Sequence, residues 1–210
     1  MVIRLVTFDL YGTLVDWRYS ISTVLNYIHR GMVERFFEKE FSIVKEIKTY
    51  TSYTEILEKA LRETLREFNV EFRKEYARLL VTSFAKSPFF PDSILGLIAL
   101  KKAGYRTGII SNTDRSLVKI TLSGVEDLFD YIVTAEDIGY YKPDERAFIN
   151  AYKIMNVELE EAVHVSSYPQ YDLEPANKLG VKTIYLDRYG YTWKNRINNL
   201  EEIIGKIKEL

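Results

Sequence analysis

The second half of the chain alternates short apolar runs with amphipathic segments, and this alternation strongly constrains the fold. Apolar runs that predict buried strands lie at 105–111, 131–137, 161–167 and 181–187. Segments with helical spacing, which predict helices, lie at 93–104, 115–124, 144–156, 172–180 and 200–210. Repeated units of this length predict an α/β fold, a Rossmann-like parallel sheet with helices on both faces.

A helical block interrupts this pattern near the start of the chain. Residues 2–9 form an apolar run that predicts a first buried strand. From about residue 19 to 85 the chain has no proline, and its single glycine is Gly31. Apolar residues there recur at helical spacing, as in 53–68. The block therefore predicts three or four packed helices.

These patterns divide the chain into two predicted domains. An α/β core takes residues 1–16 and 87–210, and an inserted helical cap domain takes residues 17–86 and lies over the sheet. Within the cap, the charged run at 38–48 is expected to form a solvated helix face with paired charges.

Composition excludes several kinds of function. The chain has 210 residues, 47% hydrophobic and 28% charged, with a net charge of -1, which is typical of a globular protein. No one-sided basic stretch predicts a nucleic-acid partner. The lack of cysteine excludes disulfides and thiolate nucleophiles, and the two histidines, His29 and His164, are expected to be structural. No apolar run predicts a membrane span or a secretion signal, so a cytoplasmic location is expected.

Polar side chains follow several of the predicted strands. In open parallel sheets, ligands bind beyond the carboxyl ends of the strands. The polar residues that fall at or just after these ends are Asp9, Ser111, Asn112, Lys142, Ser166, Ser167 and Asp172. The fold is therefore expected to bring two acids, a lysine and several hydroxyl or amide groups to one edge of the sheet, where a small-molecule substrate would bind.

Four short motifs, in this order along the chain, resemble those of the haloacid dehalogenase (HAD) superfamily. They are FDLYGTL at 8–14, IISNTD at 109–114, YYKPD at 140–144 and HVSSYPQYDLEPANKLG at 164–180. The resemblance covers nearly the whole chain, and the helical block stands where the superfamily has its common cap. Within the superfamily, the tyrosine after FDL, the DW after GTLV and the SN pair look most like the L-2-haloacid dehalogenase branch.

One position in the first motif favours that branch. Tyr11 stands where the phosphatases of the superfamily carry a second acid, which protonates the leaving alkoxide while magnesium neutralises the phosphoryl group. A departing halide needs no proton. Ser166 and Ser167 stand where phosphatases have Gly-Asp, so Asp9 and Asp172 alone would make a poor magnesium shell. No metal and no other cofactor are expected.

The resemblance implies catalytic roles for four residues. Asp9 would attack the α-carbon of a short 2-haloalkanoic acid and form an aspartyl ester, which water then hydrolyses. Lys142 would keep Asp9 ionised, and Asp172 would orient Lys142 or activate the water. Thr13 is expected to donate a hydrogen bond to Asp9 or to the substrate carboxylate.

Further residues are expected to bind the substrate. Ser111 would donate a hydrogen bond to Asp9 or to the substrate carboxylate. Asn112 and nearby main-chain N–H groups would hold the same carboxylate. Tyr11 would form a wall of the pocket or donate a hydrogen bond. Ser166 and Ser167 are balanced between a capping role and contact with the ligand.

The halide is expected to be received by an arginine of the cap. Arg35 is the candidate, with Arg18 and Arg30 as competitors. Two positions depart from the dehalogenase pattern: Tyr168 stands where an asparagine is usual, and Phe148 where a tyrosine is usual.

Two other functions stay open beside dehalogenation. One is a phosphatase of a small phosphorylated metabolite, which would need magnesium. The other is a binding protein that has kept the fold, with Tyr168 filling the pocket. A homodimer is possible because relatives in this branch commonly pair.

Overall fold

A six-stranded parallel sheet forms the centre of the computed structural model, which describes residues 3–47 and 49–210. The strands are β1 Leu5–Phe8, β2 Arg106–Ser111, β3 Tyr131–Thr134, β4 Ala162–Ser166, β5 Lys182–Leu186 and β6 Arg196–Ile197. Their order across the sheet is β3-β2-β1-β4-β5-β6, and neighbouring strands are parallel. The predicted α/β class is confirmed. Met1, Val2 and Lys48, which belong to the predicted first strand and the charged run, lie outside the described residues.

A group of four helices follows β1 before the chain returns to the sheet. They are α1 Trp17–Ile28, α2 Val33–Glu46, α3 Tyr53–Glu67 and α4 Lys74–Ala85. The Asp16 carboxylate caps α1 by accepting a hydrogen bond from the N–H of Tyr19 at 3.0 Å, and the Ser52 hydroxyl caps α3 by accepting from Glu55 at 3.2 Å. The predicted helical insertion is therefore confirmed.

The remaining helices connect the strands: α5 Ser93–Lys102, α6 Arg115–Thr121, α7 Ala135–Ile138, α8 Glu145–Met155, α9 Glu174–Lys178 and α10 Ile203–Lys208. The strand predicted at 131–137 stops at Thr134, because the Asp137 carboxylate accepts the Thr134 N–H at 2.7 Å and starts α7. Strand β6 was not predicted, since two residues are too few to show a pattern. In the described part of the chain, no helix has the length and apolar character needed to cross a membrane.

The two faces of the sheet bury different sets of apolar side chains. Along β1, Val6 and Phe8 pack into the core shared with the helical insertion, while Leu5 packs into a second core with Ile110 and Phe148. Successive residues of a strand point to opposite faces, so a strand buried on both faces is mostly apolar, and the one polar residue of β1, Thr7, has a hydroxyl that is hydrogen-bonded in the interior. This arrangement leaves the carboxyl end of β1 as the place where polar groups are exposed to a ligand.

The insertion is joined to the sheet by one buried carboxylate. Asp114, which follows β2, accepts hydrogen bonds from the main-chain N–H groups of Tyr53 at 2.7 Å and Thr54 at 3.1 Å, at the start of α3. The Tyr50 and Thr54 hydroxyls donate to the same carboxylate at 2.7 and 3.1 Å. Negative charge at a helix N-terminus is stabilising. Asp114 therefore holds the insertion over the carboxyl edge of the sheet.

Candidate active site

The loop after β1 presents Asp9 at the tip of the strand. Asp9 is 6% exposed, and the Thr13 hydroxyl donates to its Oδ2 at 2.8 Å. The Thr13 oxygen in turn accepts the main-chain N–H of Ser167 at 3.0 Å, which ties the loop to the end of β4. Gly12, with φ +93°, makes the tight turn between Asp9 and Thr13. Asp9 is thus held in place by its own loop.

A single buried ammonium group connects the two acids. Lys142 Nζ donates to Asp9 Oδ1 at 3.0 Å, to Asp172 Oδ1 at 2.6 Å and to the main-chain oxygen of Ile110 at 2.8 Å. The Lys142 side chain is 2% exposed. The sequence prediction that these three charged residues converge agrees with this geometry.

Burial and charge set the protonation of this group. Burial raises the pKa of Asp9 to about 6, although Lys142 and the Thr13 hydrogen bond pull it down. Burial also opposes ionisation of Asp172, but Lys142 and His164 outweigh it and hold the pKa of Asp172 below its usual range. Burial opposes the charge on Lys142 too, and the two carboxylates outweigh it and raise its pKa. At neutral pH the site therefore holds one cation between two carboxylates.

The Asn112 side chain fixes the main chain of Lys142. The N–H of Lys142 donates to Asn112 Oδ1 at 2.7 Å, and Asn112 Nδ2 donates to the Lys142 carbonyl at 2.8 Å. These bonds use the amide oxygen and one of the two amide hydrogens. Asn112 therefore positions the loop of Lys142, and its contact with the substrate carboxylate stays a prediction.

A cavity of about 460 Å³ lies over these residues. From the core it is lined by the predicted residues Asp9, Tyr11, Ser111, Asn112, Lys142 and Asp172. From the insertion it is lined by Trp17, Arg18, Glu34, Phe37, Glu38, Glu40, Phe41, Val44 and Tyr53. Volumes of this size are usual for small-molecule sites. Thr13, Ser166, Ser167 and Arg35 are not among the lining residues, and Thr13 acts through Asp9.

The two serines predicted to contact the substrate are turned away from the cavity. Ser166 and Ser167 are fully buried. The Ser166 hydroxyl oxygen accepts the N–H of Tyr168 at 3.0 Å, and the Ser167 hydroxyl donates to the Leu186 carbonyl at 2.6 Å. Their hydroxyls satisfy main-chain groups at the ends of β4 and β5, so the substrate-binding prediction for both is corrected.

The predicted halide-binding arginine lies outside the cavity. The Arg35 side chain is 42% exposed and pairs with Glu38 at 2.8 Å and Glu67 at 2.5 Å on the outer face of α2 and α3. Its competitor Arg18, on α1, lines the cavity, with its guanidinium 4.0 Å from the centre of the Phe37 ring. Arg35 is therefore excluded as a cavity residue, since α2 directs it towards solvent, and Arg18 is the competing arginine that lines the cavity.

Tyr11 forms a wall of the cavity. Its hydroxyl lies 2.6 Å from the Thr121 hydroxyl, and its ring stacks on Phe84 with 4.0 Å between centroids. Burial raises the pKa of Tyr11 well above its usual value, so the phenol stays neutral. With a neutral, stacked tyrosine two residues after Asp9, this position has no carboxylic acid for proton transfer.

Tyr168 packs over the loop that carries Asp9. Trp17 Nε1 donates to the Tyr168 hydroxyl at 3.1 Å, and that hydroxyl donates to Tyr189 at 3.3 Å. A Cβ atom at Gly12 would lie 2.1 Å from the same hydroxyl oxygen. Tyr168 is therefore part of the cavity wall, and the cavity persists beside it.

We expect Gly12→Ala to destabilise the protein more than a matched glycine substitution elsewhere. Gly12 and Gly104 both have positive φ, +93° and +84°, but no atom lies within 4 Å of a Cβ at Gly104. Backbone strain is thus common to both variants, while overpacking against Tyr168 adds about 1–3 kcal/mol for Gly12→Ala alone. Denaturant unfolding measures the difference. Equal losses in the two variants would contradict the close packing of Tyr168.

Glu40 lines the cavity, although its sequence context does not predict a residue of the site. It was expected on a solvated face, but it is 7% exposed and accepts the Tyr53 hydroxyl at 2.9 Å. Burial raises the pKa of Glu40 to about 7. Phe36, Phe37 and Val44 are buried on the same helix, and their spacing from Glu40 was the available signal for its burial.

The sequence of this protein matches a known family. The sequence profile of haloacid dehalogenase-like hydrolases matches residues 3–180. The chain therefore belongs to the haloacid dehalogenase-like hydrolase family.

Particular members of the family are similar over nearly the whole chain. An (S)-2-haloacid dehalogenase 4A of Burkholderia cepacia is 28% identical, over 96% of this chain and 93% of the relative. A glyceraldehyde 3-phosphate phosphatase of Pyrococcus furiosus is 29% identical, over 90% of this chain and 82% of the relative. A crystal structure of a dehalogenase superposes with a TM-score of 0.88 at 25% identity, covering 97% of this chain and 96% of that chain. Both chemistries thus occur among its relatives.

Proposed function

We propose that the protein is a 2-haloacid dehalogenase that displaces halide from a short 2-haloalkanoic acid. The observation that carries the proposal is the carboxylate of Asp9, which Lys142 and Thr13 hold in place, with neutral Tyr11 and not a second acid two residues after it. The similarity to (S)-2-haloacid dehalogenases supports it. The open cavity beside Tyr168 argues against a protein whose pocket has been filled.

In the first step a carboxylate oxygen of Asp9 attacks the α-carbon of the substrate. The new carbon–oxygen bond forms as the carbon–halogen bond breaks, and the halide leaves with the bonding electron pair. No proton is transferred, so no acid is needed at Tyr11. Arg18 on the cavity wall would receive the halide, and Ser111, which lines the cavity, would donate to the substrate carboxylate.

In the second step water hydrolyses the ester at the carbonyl carbon of Asp9. Asp172 is the group placed to accept a proton from that water, since it lines the cavity and remains ionised beside Lys142. The products are the hydroxy acid and free Asp9.

The phosphatase alternative requires magnesium, and the donors present fit that ion poorly. Magnesium takes near-octahedral oxygen ligands. Here the ammonium group of Lys142 lies between Asp9 and Asp172, and among the described residues no three His, Asp or Glu side chains come together as metal ligands. The similarity to archaeal glyceraldehyde 3-phosphate phosphatases keeps this function as the second candidate.

A substrate panel with and without chelator separates the two candidates. We expect halide release from 2-chloropropionate or 2-bromopropionate that is unchanged by a chelator. We expect no magnesium-dependent phosphate release from glyceraldehyde 3-phosphate. Phosphate release that the chelator abolishes, with no halide from any haloacid, would reject the dehalogenase.

The pH dependence of turnover is expected to follow Asp9. Only the carboxylate form attacks carbon, and burial raises the pKa of Asp9 to about 6. kcat/KM should therefore be flat above this pKa and fall by about tenfold per pH unit well below it. Initial rates from pH 4.5 to 8 in constant ionic strength would test this. A profile that stays flat down to about pH 4, the unperturbed range of an aspartate, would contradict the buried environment of the nucleophile.

We also propose the domain division predicted above, with a core at 1–16 and 87–210 and a cap at 17–86. Helices α1 to α4 all fall inside the cap range, and the strands all fall inside the core range. In this division the core supplies the reacting groups and the cap supplies the arginine and the aromatic wall.

A further inference from the structure

Behind the cavity, His164 joins Asp172 to a chain of buried polar side chains. His164 lies in β4 and is fully buried, with Nε2 at 3.0 Å from Asp172 Oδ1. Its Nδ1 lies 2.9 Å from the Thr7 hydroxyl oxygen, which lies 2.7 Å from the Tyr152 hydroxyl. Phe148 packs edge-on against the imidazole with 5.1 Å between centroids. His164, Thr7 and Tyr152 are not lining residues of the cavity, so the chain reaches it only through Asp172.

The position of each hydrogen along this series of side chains follows from which atoms can donate and which can only accept. An ionised carboxylate only accepts, so Nε2 of His164 carries the proton that it donates to Asp172. Burial lowers the pKa of His164, so the ring is neutral and Nδ1 carries no proton. Nδ1 therefore accepts from the Thr7 hydroxyl, whose oxygen accepts from the Tyr152 phenol. The donors in the chain all point towards Asp172.

Two donors converge on one oxygen of Asp172. Lys142 Nζ and His164 Nε2 both donate to Oδ1, at 2.6 and 3.0 Å. Oδ2 is buried and accepts no hydrogen bond from the described residues. A carboxylate held by one flexible ammonium group could rotate and exchange its oxygens, whereas the rigid imidazole in β4 fixes which oxygen is occupied. The free oxygen is then always the same one.

On the basis of the proposed function, we propose that His164 is a positioning residue for hydrolysis of the aspartyl ester. Asp172 Oδ2 takes a proton from water as the water oxygen forms a bond to Cγ of Asp9. The bond between Cγ and the substrate oxygen then breaks, and that oxygen takes the proton back from Asp172. The other water proton stays on the regenerated Asp9 carboxyl group and passes to solvent. The attack on the α-carbon transfers no proton, so His164 acts on the second step.

The two steps can be measured separately by rapid quench with 2-chloropropionate. His164→Leu keeps an apolar side chain and removes the donor. We expect one halide per active site to be released as fast as in the parent, followed by ester hydrolysis slower by about tenfold to a hundredfold, as for loss of a hydrogen bond to a charged group. The ester should accumulate as a mass increase on the intact protein. His164→Gln, which supplies an N–H near the place of Nε2, should restore most of the hydrolysis rate.

Thr7→Val provides a second variant in case His164→Leu does not fold. It removes the hydroxyl that binds Nδ1 and keeps the shape of the side chain, so the same ester should accumulate to a smaller extent. An equal fall in halide release and ester hydrolysis, or unchanged hydrolysis in the folded variants, would overturn the assignment. No halide from the parent protein would reject the proposed function instead.

Discussion

Replacing Asp9 with asparagine is expected to abolish turnover while leaving the fold in place. The amide has nearly the same shape as the carboxylate and can still accept the Thr13 hydroxyl, which donates to Oδ2 at 2.8 Å in the parent. It cannot act as the anionic nucleophile, and Tyr11 offers no substitute. Loss of a nucleophile typically lowers kcat by several orders of magnitude, and we expect a fall of at least about 10³-fold.

Halide release and isotope labelling together test this expectation. In a single turnover in heavy-oxygen water, the parent should carry heavy oxygen in Asp9, because water attacks the side-chain carbonyl and not the substrate carbon. Asp130→Asn is the control: Asp130 is a carboxylate that accepts from Lys101 at 2.9 Å and from the N–H of Thr107 at 2.8 Å, away from the cavity. That variant should lose stability and keep turnover. Haloacid turnover by Asp9→Asn at the parental rate would reject the mechanism.

Replacing Lys142 with methionine is expected to reduce both stability and turnover. The change leaves two buried carboxylates, Asp9 and Asp172, without the cation that binds them at 3.0 and 2.6 Å. Removing one partner of a buried ion pair typically costs about 3–5 kcal/mol, because an uncompensated charge remains in the interior. One of the two acids will therefore be protonated at neutral pH, and we expect kcat to fall by at least about 10²-fold.

The pH dependence of unfolding tests whether the loss of stability in Lys142→Met comes from the unpaired carboxylates. Without Lys142, burial is expected to raise the folded-state pKa of at least one of the two acids above its unfolded value, so the folded variant would bind more protons than the unfolded chain. Its stability relative to the parent should then improve as pH falls from about 8 to about 5. Lys101→Met is the control, because Lys101 pairs with Asp130 at 2.9 Å on the surface, where such pairs are worth about 0–1 kcal/mol. A pH-independent difference between Lys142→Met and the parent would contradict the buried contact of Lys142 with Asp9 and Asp172.

Local patterns were enough to predict the frame of the site. The apolar run before Asp9 and the alternation after residue 93 predicted the sheet, since strand and helix periodicities are local properties of a sequence. Parallel strands end at a common edge, so the positions of Asp9, Lys142 and Asp172 in the chain also predicted that they meet. Their burial and shared hydrogen bonds agree with that expectation.

Other features depended on the direction that each side chain takes. Arg18 and Arg35 both lie on cap helices, but only the packing of α1 and α2 over the sheet determines that Arg18 faces the cavity. Glu40 belongs to a charged run, and its burial follows from the apolar neighbours of α2. Successive residues of a helix point about 100° apart. A small error in the assumed orientation of a helix therefore places a side chain on the wrong face.

What the sequence alone determined is therefore the parallel sheet, the helical insertion and the acid at the tip of the first strand. The tertiary structure decided which groups can touch a substrate. The Ser167 hydroxyl donates a hydrogen bond to a main-chain oxygen 19 positions away, and His164 is hydrogen-bonded to Thr7, 157 positions away. Hydrogen-bond partners this distant in sequence are set by the packing of whole strands against one another, which no local pattern records.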